Sequence, residues 1–197
     1  RSLMNKDGKP ARDYLSSRGF NDEKLLADYN IGWAAPGWEN TLRYLQNQEK
    51  FSKNDISRAG LIKQKEEAND NNFYDRFRGR IIFPLQDIHG TLIAFAGRII
   101  GESEPKYLNS PETPLYVKGR HLFGFNRAKE AIRKQNKALI VEGYFDQMRA
   151  HQNGIRNTVA TCGTALTLEQ ANLLKNHTKR ATLIFDSDSA GQAATKK

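Results

Sequence analysis

Two apolar runs in this chain stop on acids. "ALIV" (138–141) ends at Glu142, with Asp146 four residues further on, and "TLIF" (182–185) ends at Asp186 and Asp188. If both runs are parallel strands of one sheet, their carboxyl ends share an edge, the edge where open α/β sheets bind ligands. Four carboxylates gathered there repel one another, and neither motif holds a Lys or Arg to neutralise them. Hard divalent cations would do so, and an all-oxygen ligand set suits Mg²⁺ or Mn²⁺ rather than zinc. Mg²⁺ is commonly shared between one or two carboxylates and substrate phosphates, so the chemistry predicted here is chemistry at phosphate. Each motif alone has a plainer explanation. Asp186 and Asp188 would cap a following helix, and Glu142 would be an exposed strand end. Their occurrence together in one βαβαβ stretch weakens both alternatives.

The elements that must position these acids are legible as a pattern. From residue 138 on, strands "KALIVEG", "RNTVATCG" and "ATLIFD" alternate with helices "YFDQMRAHQNG" and "TLEQANLLKNH", and "SAGQAATKK" begins a third helix. Thr167 and Gln170 fit a capping box, and Gly154 a helix stop. Short connections between alternating strands and helices predict a parallel sheet with right-handed crossovers. The fold class is therefore α/β: a mixed α/β lobe over 1–137, then a parallel sheet over 138–197 that is incomplete at its end.

In the first lobe, 10–30 reads as two short helices, the second capped by Asn21 or Asp22. "IGWAAPGWEN" reads as a turn region, "NTLRYLQNQ" and "NDISRAGLI" as helices with Gly60 as a cap, and "KQKEEANDNN" as an exposed loop. From Asp75 the period becomes two. An extended "DRFRGRIIFPL" would put Arg76, Arg78 and Arg80 on one face, and "TLIAFAGRII" is a second strand. "KYLNSPETPLYVKGRHLFGF" reads as an irregular ordered loop, and "NRAKEAIRKQ" as a helix.

Of 197 residues, 38% are hydrophobic and 27% charged, the balance of a folded globular chain. No apolar run approaches the ~20 residues of a membrane span, and the first residues lack a signal-peptide core. Cys162 is the one cysteine, which leaves no internal disulfide and no Cys-rich zinc site, and fits a reducing cytoplasmic compartment. The formal charge of +9 is unevenly spread. Residues 1–75 balance at 12 basic and 12 acidic, 76–137 hold 12 basic and 5 acidic, and 138–197 hold 7 and 5. A local basic excess is the footprint of a polyanion partner; on charge alone, a well-solvated basic surface fits equally.

The motifs "VEGYFD", "GTALT" and "DSDSAGQAA" resemble the metal-binding TOPRIM fold of primases and topoisomerases. Upstream, "YDRFRGRIIFPLQDIHGTLIAFAGR" and "PKYLNSPETPLYVKGRHLFG" resemble the RNA-polymerase core of bacterial DNA primases of the DnaG type. "YLSSRGF" and "IGWAAPGW" match the start of that core, so the resemblance runs in order from about Arg12 onward.

The resemblance implies synthesis of short RNA primers on a single-stranded DNA template from ribonucleoside triphosphates, with Mg²⁺ or Mn²⁺ held by Glu142, Asp146, Asp186 and Asp188. It also implies a template and nucleotide groove lined by Arg76, Arg78, Arg98, Lys106, Asn109 and Lys118, with Arg18 of the same kind. Lys106 and Lys118 are expected near the triphosphate, and the basic groove is expected to face the acids. Ser187 stands where the family commonly has Gly, with no expected loss of chemistry. The family's third acidic cluster is expected beyond Lys197, its zinc-binding domain before this core, and its contact with the replicative helicase in a C-terminal domain. The 197 residues alone are therefore expected to be a poor primase. A monomer working in the nucleoid and replisome, without a membrane partner, is expected.

Two other classes share these features: a TOPRIM enzyme that cleaves or rejoins strands, and a nucleic-acid-binding module without activity. Tyr144, beside the acids, is the candidate nucleophile of the first, although an aromatic at a helix start is more often core. Trp33 and Trp38 read as packing, with base stacking a role open to aromatics near the basic groove. His89, His121, His151 and His177 are too scattered for a metal site, and Cys162 reads as a small buried residue.

Overall fold

The computed structural model describes residues 2–65, 72–163 and 165–185. The chain divides into two compact units, 1–84 with 94–113 and 85–93 with 114–197.

The first unit begins with α1 (Lys9–Ser17), which buries Ala11 and Leu15, four residues apart on one face. Helix α2 (Glu23–Asp28) is capped by Asp22, whose Oδ1 accepts from Lys24 N at 2.9 Å and Leu25 N at 3.2 Å. The stretch read as a turn contains a strand, β1 (Gly32–Ala34), with Trp33 buried. Helices α3 (Asn40–Asn47) and α4 (Lys53–Arg58) follow, and Gly60 closes α4 at φ +70°. Next comes a hairpin not legible in the sequence, β2 (Ile62–Gln64) paired antiparallel with β3 (Phe73–Asp75). Three residues per strand are too few to display a period of two. Residues 66–71 of the expected loop lie outside the described residues. Leu42, Ile56 and Ile62 make a small core under this hairpin.

The main sheet of this unit runs β1-β4-β5-β6, with β4 (Arg80–Gln86), β5 (Leu92–Ile99) and β6 (Tyr107–Asn109). β1 lies antiparallel to β4, with Gly32 opposite Ile82, and β6 antiparallel to β5, with Tyr107 opposite Arg98. Strand β4 starts only at Arg80. Between β3 and β4 the chain bends through Gly79, at φ +59°. The expected row of Arg76, Arg78 and Arg80 on one strand face is therefore not formed. The segment expected to be irregular around Lys106 likewise contains β6.

The second unit holds α5 (Phe125–Gln135), β7 (Ala138–Val141), α6 (Tyr144–Gln152), β8 (Thr158–Ala160), α7 (Leu168–Lys175) and β9 (Ala181–Ile184). The sheet order is β8-β7-β9, all parallel, as the strand–helix alternation predicts. Leu122, Phe125, Ala128, Ile132, Ala138, Ile140, Val159 and Leu174 form its core. The capping box of α7 is present: Thr167 Oγ1 accepts from Gln170 N, and Gln170 Oε1 accepts from Thr167 N, both at 3.1 Å. Among the described residues, no helix is long and apolar enough to cross a membrane.

Candidate functional site

In the second unit the carboxyl ends of β7, β8 and β9 share one edge because the strands are parallel, with Val141 in register with Ala160 and Ile184. Glu142 leaves β7 at that edge. The chain leaving β8 is tied to it: Cys162 N donates to Glu142 O at 2.8 Å and Thr161 N to Val141 O at 3.2 Å. Asp146 sits in the first turn of α6, where its Oδ2 accepts from Gly143 N at 3.0 Å. This bond holds the carboxylate at the mouth of the helix, where the helix dipole favours a negative charge. Asp186 and Asp188 follow β9 in the sequence and lie outside the described residues.

A cation absent from both acidic motifs also approaches this edge. Lys118, in the 3₁₀ turn Lys118–Arg120, places Nζ 3.4 Å from Gly163 O. Burial pushes the Cys162 thiol pKa up, with Tyr144 and Lys118 opposing the rise and Asp146 adding to it. Burial thus keeps Cys162 a protonated thiol, and Lys118 and Asp146 act on it with opposite sign. Tyr144 is buried, packs edge-on against Phe123 at 5.0 Å and hydrogen-bonds Cys162, the place of a core aromatic.

The first unit gathers cations with aromatic rings. Arg76 donates through Nε and Nη2 to Asn109 O at 3.0 and 2.8 Å, so Asn109 enters the cluster by its backbone carbonyl. Arg78 donates to Asp75 O, and its guanidinium lies over Trp38 at 4.6 Å and Tyr74 at 4.9 Å. Lys65 Nζ approaches the same Trp38 ring at 5.8 Å. Trp38 is 63% exposed, not the packing residue expected. Arg98 lies between Tyr14 and Tyr107, 5.4 Å from each ring, and Arg18 approaches Tyr14 at the same distance. Arg80 is 6% exposed and donates to Gly97 O at 3.2 Å and Lys106 O at 3.5 Å. Lys106 is exposed.

Burial lowers the Arg80 pKa, the nearby Arg78 and Arg98 charges lower it further, and Glu104 partly offsets them. Burial likewise lowers Arg76. Among the described residues, none of Arg76, Arg78, Arg80, Arg98 or Lys106 is within ion-pair distance of a carboxylate. Positive charge is thus gathered here with Glu104 as a partial offset, and of these arginines Arg80 and Arg98 are buried, so Arg76, Arg78 and Lys106 are the cations left to meet an anion. Beside Arg78 and Trp38 opens a cavity of about 510 Å³, walled by Pro36, Gly79, Ile99 and Ile100. The exposure of Trp38 is not legible in the sequence because it depends on what packs around the ring, and no local pattern reports that.

The acidic motifs supply hard oxygen donors, and two of the four, Glu142 and Asp146, stand at the described edge. One or two carboxylates are what Mg²⁺ takes from protein when phosphates and water complete its shell, so these residues fit such an ion. Among the described residues, no group of three or more acidic, His or Cys side chains is drawn together.

The parallel three-stranded sheet with Glu142 at its carboxyl edge fits the Toprim class, and the Toprim domain family matches residues 136–197. Toprim domains in general bind divalent metal. The family described as the DNA primase catalytic core, N-terminal domain, matches residues 1–129, and the chain belongs to this family. It is 40% identical over 198 aligned positions to a DNA primase of Synechocystis, covering 100% of this chain and 31% of that protein. A DNA primase domain from Pseudomonas aeruginosa superposes with a TM-score of 0.90 at 38% identity, over 99% of this chain and 60% of that one. A DnaG primase catalytic domain bound to single-stranded DNA superposes with a TM-score of 0.85 at 38% identity, over 99% of this chain and 59% of that one. The chain thus spans about a third of the length of the curated relatives it matches.

Proposed function

We propose that this chain is catalytic-core sequence of a DNA primase, joining ribonucleotides on a single-stranded DNA template. The observation that carries the reading is Arg78, which is within ion-pair distance of no carboxylate among the described residues and lies 4.6 Å from the ring of the exposed Trp38. A phosphate backbone supplies the missing negative charge, and a base supplies the stacking partner.

In the reaction, the 3′-oxygen of the growing primer bonds to the α-phosphorus of a ribonucleoside triphosphate. The bond to pyrophosphate breaks, and the hydroxyl proton leaves to solvent. Glu142, Asp146, Asp186 and Asp188 would hold Mg²⁺ or Mn²⁺, which when bound neutralises charge on the attacking and departing oxygens. Asp146, anchored on Gly143 N, keeps its carboxylate in place before any ligand arrives. Lys118 offers a cation to the triphosphate beside the same edge. Arg78 and Lys106 would contact template or nucleotide directly. Arg76, Arg98 and Arg18 add to the field, and the Asn109 carbonyl holds Arg76 in place. No protein nucleophile is required, so the work is positioning and charge neutralisation. We assign 138–197 to the metal-binding portion and 1–137 to the template-binding portion. The replicative helicase is a partner proposed for the longer protein.

The test is ribonucleotide incorporation by a chimaera carrying this chain in place of the matching segment of the Synechocystis relative. RNA products on a single-stranded template, lost with Glu142→Gln, are expected. Nicked DNA in place of RNA would favour a strand-cleaving Toprim enzyme, and DNA binding with neither product would favour a non-catalytic module.

A further inference from the structure

Asp75 is 1% exposed, and no Lys, Arg or His pairs with its carboxylate among the described residues. The carboxylate is spent on backbone amides 34 and 33 residues away: Oδ2 accepts from Thr41 N at 2.6 Å and Oδ1 from Leu42 N at 2.9 Å. These are two of the orphan donors in the first turn of α3, a helix whose own N-cap residue, Glu39, makes no side-chain cap. The backbone of Asp75 is engaged as well. Its N–H donates to Trp38 O at 2.7 Å, and its carbonyl accepts from the Arg78 guanidinium. One residue therefore touches both members of the Trp38–Arg78 stack through its backbone, while its carboxylate holds the first turn of α3, into which the chain from Trp38 leads.

We propose that Asp75 is the positioning residue of the Trp38–Arg78 contact surface, setting the indole and the guanidinium in register for a base and its phosphate. The inference rests on the nucleic-acid reading of that surface. A carboxylate suits the task because each oxygen accepts one amide and no proton competes for either. An amide side chain of the same shape offers one acceptor and turns its NH₂ toward the other backbone donor. The first turn of α3 must then shift, and Trp38, two residues before Asn40, shifts with it. Trp33 lies on β1, paired with β4, where it stands opposite Ile81.

The test uses the protein labelled with 5-fluorotryptophan, whose two ¹⁹F resonances are assigned with Trp38→Phe. Without DNA, Asp75→Asn is expected to move the Trp38 resonance and leave that of Trp33 in place. Its affinity for a 16-residue oligothymidylate is expected to fall about tenfold. Asp75→Ser, which removes the carboxylate without adding a misdirected donor, is expected to give a smaller shift of the same resonance. An unmoved Trp38 signal, equal movement of both signals, or loss of cooperative melting in both variants would overturn the proposal, since each denies a local role. Failure of the unsubstituted protein to bind the oligomer would instead count against the nucleic-acid reading, while the DNA-free spectrum still decides the role of Asp75.

Discussion

The Arg78 guanidinium lies over the Trp38 indole, 4.6 Å from the ring centroid, and 40 residues of chain separate the two. Trp38 meets Tyr74 edge-on at 5.8 Å, so one cation serves two rings. An arginine stacked in this way keeps its charge at the surface while losing conformational freedom in advance of binding. That is the arrangement expected where a base and a phosphate are to be received side by side.

Trp38→Ala and Arg78→Ala should weaken single-stranded DNA binding by different routes. Loss of the ring removes stacking worth about 1–3 kcal/mol per base and leaves the salt dependence nearly unchanged. Loss of the guanidinium reduces the slope of log K against log salt by about 0.7 for each phosphate contact given up. Fluorescence titrations at three or more salt concentrations separate the two, and identical slopes for both variants would remove Arg78 from the phosphate contacts.

Asp186→Asn should weaken Mn²⁺ binding measured by calorimetry, and Glu142→Gln should do the same. Each replaces a charged oxygen donor by a neutral one in a site whose attraction for the ion is largely coulombic. Mn²⁺ binding by Asp186→Asn equal to that of the unsubstituted chain would take Asp186 out of the metal site.

Gly124→Ala should destabilise the second unit by at least about 2 kcal/mol, from left-handed strain plus a steric clash. Gly124 stands at φ +77°, and an added Cβ would lie 2.2 Å from Gln147 Nε2. Gln147 cannot swing away freely, because it is fully buried and donates to Thr158 O at 3.2 Å. Thermal melting is the measurement, with an expected fall of roughly 4–8 °C for a chain of this size.

His151 should make stability depend on pH. It is fully buried beside Gln147 and Thr158 O, and burial, with Arg156 and Arg127 nearby, holds its pKa down from 6.5 to about 4. The unfolded chain takes up this proton near the ordinary value and the folded chain does not. The stabilising contribution is complete above about pH 6.5 and is lost as pH falls toward about 4. The slope should approach about 1.4 kcal/mol per pH unit within that window. Denaturant melts of the protein and of His151→Gln should diverge from pH 7 to pH 4, and parallel pH profiles would show that His151 is not the titrating group.

Much of the second unit is legible in the sequence. Strand–helix alternation, the Thr167–Gln170 capping box and the Gly154 stop are local, and each strand or helix shows enough of its period to be recognised. The position of Glu142 at a carboxyl edge followed from strand direction alone. In the first unit, β1, β2, β3 and β6 each have three residues, and only their partners make them strands. The alternation of Arg76, Arg78 and Arg80 suggested one extended face, but the left-handed Gly79 breaks the strand between them.

Residue types and their order therefore specified the class of fold, the place of Glu142 at the end of β7 and the basic character of the middle segment, because periodicity and charge are properties of neighbours in the chain. Tertiary structure alone decided which cations face solvent and which are buried. Arg80 disappears under β5 because Gly97 leaves room for its stem, whereas Trp38 stays exposed and receives Arg78. It also decided that Lys118 reaches the Gly163 carbonyl beside the acids, 45 residues away, and that Asp75 closes the first turn of α3. Contacts between residues so far apart depend on how sheets and helices pack, and packing is a sum over many weak interactions that no short stretch of sequence contains.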